Sequence, residues 1–275
     1  MKKLLLTVTV VAAALSFLAF LESCGVLGGP PGGLQIAAAT DTTVQLAWTS
    51  PAEGMPDSFL IYFRPVGESA FAVVGETSAT AYIHNPHGMT GDYQVAAVFA
   101  GKEYRSEHLL TTVPVHESIR VVSELDGAGN AGYGWNRDSG RGRTYSMRTT
   151  GNAQFVDFYI TDFATGSSRL PYCIASPSMA PSDPAGIVDS APWHTSGFTD
   201  SLPSEHEPLP VFEPRNYFNY SPIRSTPFLV GGCVYTSSEH KFFALVKVTR
   251  VDVGHASVEL ESWFQLVENL RLIRH

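Results

Sequence analysis

Four aromatic residues in a proline-rich stretch, Trp193, Tyr217, Phe218 and Tyr220, have the side chains best suited to meet a ligand. Exposed rings on a Pro-stiffened loop stack on sugar faces or fill a partner's pocket. Turned inward, the same rings would only staple the loop to a core. Cysteine chemistry is scarce, because the 275 residues hold three cysteines and Cys24 directly follows an apolar run. Cys173 and Cys233 remain as a pair that an oxidising compartment could join. Their disulfide would close about 60 residues and stabilise the fold by roughly 4 kcal/mol in the chain-entropy model. Two buried free thiols are the alternative, and without C-x-x-C spacing the two build no zinc or redox centre. Among the histidines, His84 and His87 flank Pro86, which breaks any shared helical face. His194, His206, His240 and His255 are scattered among Ser, Pro and Glu without ligand spacing. Glu259 and Glu261 read as solvated carboxylates on one strand face, and so do Asp157 and Asp162, rather than as a hydrolytic pair. No catalytic residue, metal or cofactor is expected.

Two literal motifs need a structural context that the chain does not supply. Gly127-Ala128-Gly129-Asn130-Ala131-Gly132 matches GxGxxG, but a dinucleotide site needs a helix after the third glycine. Tyr133-Gly134-Trp135-Asn136-Arg137 follows instead, so a glycine-rich turn between strands is expected. Asp138-Ser139-Gly140 places a serine beside a carboxylate, but a triad is defined by geometry and not by three letters, and a turn is expected here too. The nearby Arg137, Arg141, Arg143 and Arg148 are interrupted by Asp138 and read as a solvated hairpin. With a formal charge of −8, nucleic acid and anionic lipid are poor partners, because phosphate recognition needs clustered Lys and Arg.

These residues must be positioned by what lies around them, beginning with the leader. Lys2 and Lys3 precede an apolar run of 18 residues, 4–21, followed by Leu21-Glu22-Ser23-Cys24-Gly25. A basic start, a hydrophobic stretch and a small residue at a cut site describe a secretory signal. The segment resembles the lipobox of bacterial lipoproteins, with Glu22 departing from the small or apolar residue usual there. The resemblance implies that residues 1–23 are removed and that Cys24 is diacylated, anchoring the chain on the exported side of a bacterial envelope membrane, periplasmic or at the cell surface. An uncleaved anchor is the alternative, since 18 apolar residues just span a bilayer. Residues 24–33 follow as a tether; five Gly and two Pro within 25–33 cannot bury enough surface to fold.

From residue 34 to 116 short strands alternate with period 2. Val44, Leu46 and Trp48 oppose Thr43, Gln45 and Thr49; Phe59, Ile61 and Phe63 oppose Leu60, Tyr62 and Arg64; Tyr93, Val95, Ala97 and Phe99 oppose Gln94, Ala96 and Val98. Such repeated strands imply a small antiparallel sandwich. The order of these segments resembles a fibronectin type III domain. Trp48 matches its core tryptophan, Tyr62 the aromatic position of its third strand, and Tyr93 the tyrosine of its penultimate strand. The resemblance implies a spacer or binding sandwich, able to fold on its own, and is nearly silent on function.

Residues 117–275 are expected to form a second β-rich domain of no recognised family. Strand patterns cover 118–125, 143–148, 154–162, 228–236, 241–251 and 256–267. Between 171 and 227 lie 11 of the 18 prolines, which exclude a helix or central strand and predict a long excursion off the β framework. The chain is therefore expected to be all-β and monomeric. Its expected role is a lipid-tethered, non-catalytic binding or adhesion module for a glycan, polymer or protein ligand. An envelope carbohydrate hydrolase that uses the first sandwich as a spacer is the alternative.

Overall fold

A computed structural model describes residues 28–163, 171–185, 188–237 and 240–275. The leader and Cys24 lie outside these residues. The first eight strands are β1 (Gly32–Ala38), β2 (Val44–Thr49), β3 (Ser58–Pro65), β4 (Ala72–Thr77), β5 (Ala81–His84), β6 (Gly91–Phe99), β7 (Lys102–Arg105) and β8 (Leu110–Thr111). They form one sheet in the order β1-β2-β5 and another in the order β4-β3-β6-β7, with β8 also on β6. Period 2 decides what lies between the sheets. Val44, Leu46 and Trp48 meet Phe59, Ile61, Phe63, Tyr93 and Val95 in one core. Tyr62 faces outward, where its hydroxyl donates to Glu103 at 2.7 Å and Arg105 covers its ring.

That core is completed from the far end of the chain. Val267, Leu270 and Leu272 are buried in the same cluster. Polar contacts fix the returning tail: Gln265 Nε2 donates to the carbonyls of Thr112 and Leu272 at 2.8 and 2.7 Å, Arg271 Nε reaches Asp41 at 2.8 Å, and Thr90 Oγ1 donates to the Arg274 carbonyl.

The second sandwich contains β9 (Val115–Ser123), β10 (Gly132–Trp135), β11 (Gly142–Tyr145), β12 (Phe158–Thr161), β13 (Cys173–Ala175), β14 (Thr195–Ser201), β15 (Tyr220–Pro222), β16 (Phe228–Ser237), β17 (His240–Asp252) and β18 (Ser257–Phe264). One sheet runs β11-β10-β12-β13-β15 and the other β14-β16-β17-β18-β9. Phe158, Ile160 and Ile174 from the first meet Phe198, Val230, Val246, Leu260 and Phe264 from the second. Ser262 crosses this core, its Oγ 3.0 Å from both the Tyr133 hydroxyl and Trp135 Nε1. The chain is all-β, and helix among the described residues is confined to three short 3-10 segments.

The proline-rich stretch leaves this framework for most of its length but returns to it three times. It supplies β13 and β15 to one sheet and β14 to the other, and a backbone bridge between Phe198 and Phe218 ties the two together. Its prolines fall in the connections and at the margin: Pro222 ends the edge strand β15 and Pro227 directly precedes β16. Strands of three to seven residues fit between such positions without asking a proline for a ladder hydrogen bond. The GxGxxG segment joins β9 to β10, with a strand after the third glycine, and therefore offers no helix N-terminus to a pyrophosphate.

Candidate functional site

A cleft of about 370 Å³ opens at one end of the second sandwich, lined among others by Trp135, Arg137, Phe155, His194, His240 and Phe242. Residue alternation builds its walls. Val234 and Phe242, on neighbouring strands β16 and β17, point to the inter-sheet side, and Trp135 ends β10 in the opposing sheet. Phe155 closes a 3-10 turn, Thr150–Phe155, that lies directly on β10. Gly134 permits this approach, because a Cβ there would overlap the Phe155 carbonyl.

Charge placement gives the cleft its character. Asp157 is 1% exposed, so its carboxylate must be paired to be tolerated. Arg137 donates to it through Nη2 at 2.6 Å and Nη1 at 3.0 Å. The Trp135 N–H adds a third bond at 2.8 Å, and His194 Nδ1 lies 3.3 Å away. The guanidinium also sits 5.1 Å from the Phe242 centroid and 5.2 Å from that of Phe264, within cation–π range. One buried carboxylate thus orients an arginine and a histidine beside three aromatic rings. With Nδ1–H on Asp157, the Nε2 atom of His194 is the one left for a ligand. His240, across the cleft, pairs with Glu268.

Two expectations are corrected here. Asp157 is not on a solvated strand face: its N–H donates to the Tyr133 carbonyl of β10 at 2.7 Å and its carbonyl accepts from Ser196 Oγ of β14 at 2.6 Å, which draws it inside. Arg137 and Arg141 share the turn between β10 and β11, but the Arg137 side chain folds in to Asp157 while that of Arg141 is two-thirds exposed. Asp138-Ser139-Gly140 forms the expected turn, with Asn136 Oδ1 accepting the N–H groups of Asp138 and Ser139. Glu259 pairs with Arg250 and Glu261 with His116, so both stay on the outer face. His84 hydrogen-bonds the Tyr93 hydroxyl at 2.8 Å within the first sandwich.

The aromatic group read from the sequence is split. Trp193 is buried against Leu125, Met147 and Tyr159, its indole N–H donating to the Asp189 carbonyl at 3.1 Å. Tyr217 is buried in a separate cluster, and its hydroxyl donates to the Pro210 carbonyl at 3.1 Å. Phe218 and Tyr220 remain 42% and 46% exposed. The bridge to Phe198 holds the backbone extended at Phe218, so Tyr217 and Phe218 face opposite ways. The expected site thus loses Trp193 from its surface and separates Tyr217 from Phe218 and Tyr220.

Cys173 and Cys233 are both buried free thiols, so the expected disulfide is absent. Their neighbours explain why: Ile174 and Val234 point into the shared inter-sheet core, which sends the two sulfurs to opposite outer faces of the sandwich. Burial pushes the Cys173 thiol up to about 11 and raises that of Cys233 as well, leaving both protonated and unreactive. On the flank away from the cleft, burial and the carboxylates of Asp162 and Asp126 push Glu124 up to about 7.

No family model matches this chain, and no curated protein matches it. Solved structures similar to it include the FN5 domain of Drosophila Lar, 14% identical, covering 31% of this chain and 96% of that one at a TM-score of 0.26. The FN3 domain of human collagen XX is 23% identical, covering 33% and 99% at a TM-score of 0.25. Titin domains A168–A170 are 20% identical, covering 31% of this chain and 32% of that one at a TM-score of 0.27. The chain is an all-β protein of antiparallel sheets.

Proposed function

We propose that the chain is a non-catalytic binding module that holds a glycan-type ligand in the cleft beside Arg137. The observation that carries this reading is the buried Asp157, which presents Arg137 and His194 in fixed positions beside the rings of Trp135, Phe155 and Phe242. Ring faces stack on the apolar face of a sugar, guanidinium and amide N–H groups donate to its hydroxyl oxygens, and an imidazole nitrogen or amide oxygen accepts from its hydroxyls. Among the described residues, four clefts are each lined by a single carboxylate, Asp138, Glu107, Asp41 or Glu213. Glycoside hydrolysis uses two, about 5–10 Å apart. Phe155 is half exposed, so Phe155→Ala should leave folding intact while weakening glycan binding roughly tenfold, the worth of one stacked ring. A glycan array followed by calorimetry checks this; equal affinity of the variant, or no glycan bound at all, would remove the reading. A second reading, hydrolysis, is favoured only by the Asp157–His194 contact, which has the form of a general base with its orienting carboxylate. It requires glycan turnover that disappears in His194→Ala.

The same proposal places the module on the exported side of a bacterial envelope membrane, held by lipid at Cys24 through the tether. Lipid chains on one cysteine exceed what stable anchoring needs. Cys24→Ala should therefore leave the protein uncleaved or released from membranes, and a mutant that both partitions and migrates like wild type would refute the anchor.

A further inference from the structure

On the opposite face of the same sheet, Phe212, Tyr217 and Tyr235 line a separate cup of about 320 Å³ with Glu213 at its rim. Tyr235 follows Val234 on β16, so the two side chains leave the strand on opposite sides, and the cup is independent of the cleft beside Arg137. Phe212 is its central wall: its centroid lies 5.2 Å from that of Tyr217 at an interplanar angle of 53°, and 5.2 Å from that of Tyr235 at 63°. Rings inclined this steeply give no flat platform for a sugar. They surround a compact group with several π faces, the arrangement that attracts alkylated ammonium ions.

The walls are fixed before any ligand arrives. Tyr217 is buried with its hydroxyl committed to the Pro210 carbonyl. Gly197 lets that ring settle, since a Cβ there would lie 2.9 Å from the Tyr217 Cβ. Phe212 also walls the adjoining cleft, where Lys241 Nζ lies 5.9 Å from its centroid, so one cation of the protein already uses this ring. Glu213 places one carboxylate beside the rings, although it is paired at 2.6 Å with the largely exposed Arg215, so the preference for a cation rests first on the π faces.

We propose that this cup binds an alkylammonium group, a quaternary ammonium or a methylated amine, through cation–π contacts with Phe212, Tyr217 and Tyr235 and the carboxylate of Glu213. The test is calorimetric titration of the full chain with choline and with its neutral carbon isostere, 3,3-dimethylbutanol. Choline should saturate one site and the isostere should bind about 3- to 30-fold more weakly, the range expected of cation–π pairing. Tyr235→Leu and Glu213→Gln should each weaken choline several-fold with the melting temperature unchanged, while Phe155→Ala should not affect it. Equal affinity for the isostere, no saturable choline binding, or wild-type affinity in both cup variants would overturn the assignment. The cup and the glycan cleft can fail separately, because each has its own probe and its own variants.

Discussion

Arg137→Ala should cost about 3–5 kcal/mol of folding stability, because it leaves the Asp157 carboxylate buried without its counter-charge. Asp157 is 1% exposed and cannot turn to water, and the bidentate pair supplies two of its four polar contacts. The guanidinium also loses its position against Phe242 and Phe264, which removes packing as well as charge. Replacing both partners, as in Arg137→Met with Asp157→Leu, should recover much of the loss, since an apolar pair needs no desolvated charge. Arg141→Ala is the control. Arg141 is two-thirds exposed and 3.7 Å from Glu117, so it should cost no more than about 1 kcal/mol. Urea unfolding of the three variants gives the comparison. A loss below about 1 kcal/mol for Arg137→Ala would mean that Asp157 reaches water by another route, and the ordered wall of the proposed glycan site would go with it.

The second large effect is expected at Leu270. This residue is fully buried in the core of the first sandwich, although about 160 residues separate it from β8. Leu270→Ala should therefore cost about 2–5 kcal/mol through lost burial and the cavity left behind. A fragment of residues 34–116, read from the sequence as a sandwich able to fold alone, would expose the surface that Val267, Leu270 and Leu272 cover. It should unfold at markedly lower urea than the same segment within the whole chain. Because the tail is also continuous with β18, the two sandwiches should melt in one calorimetric transition. Two separated transitions, or a fragment as stable as the whole chain, would show that the tail contributes nothing to the first core. A free-standing spacer would then be the better description of that domain.

What was legible locally is the strand pattern. Alternation around Trp48, Phe59 to Phe63 and Tyr93 predicts which side chains face the first core. The strand pattern over 256–267 likewise falls on β18 in the second sandwich, because period 2 is a property of the strand itself. The glycine-rich turn after β9 and the Asn136 turn were legible for the same reason, since neighbouring residues determine both. The proline-rich segment misled in part, because proline excludes a central strand only where its own N–H is needed, and short strands fit between the prolines.

The cleft and the cup lay beyond any local pattern. Arg137, Asp157, His194 and Phe242 come from four separate parts of the chain. Whether a carboxylate is solvated or buried depends on which strands lie beside it. Asp157 precedes an apolar strand as a solvent-facing residue could, and it is enclosed by Trp135, Arg137, His194 and Ser196, which reach it from other parts of the chain. The disulfide failed on the same ground: 60 residues of separation permit a bond that opposite sheet faces forbid. Sequence alone determined the faces of individual strands. Tertiary structure decided which faces meet, and with that which charges lose their water and must be paired.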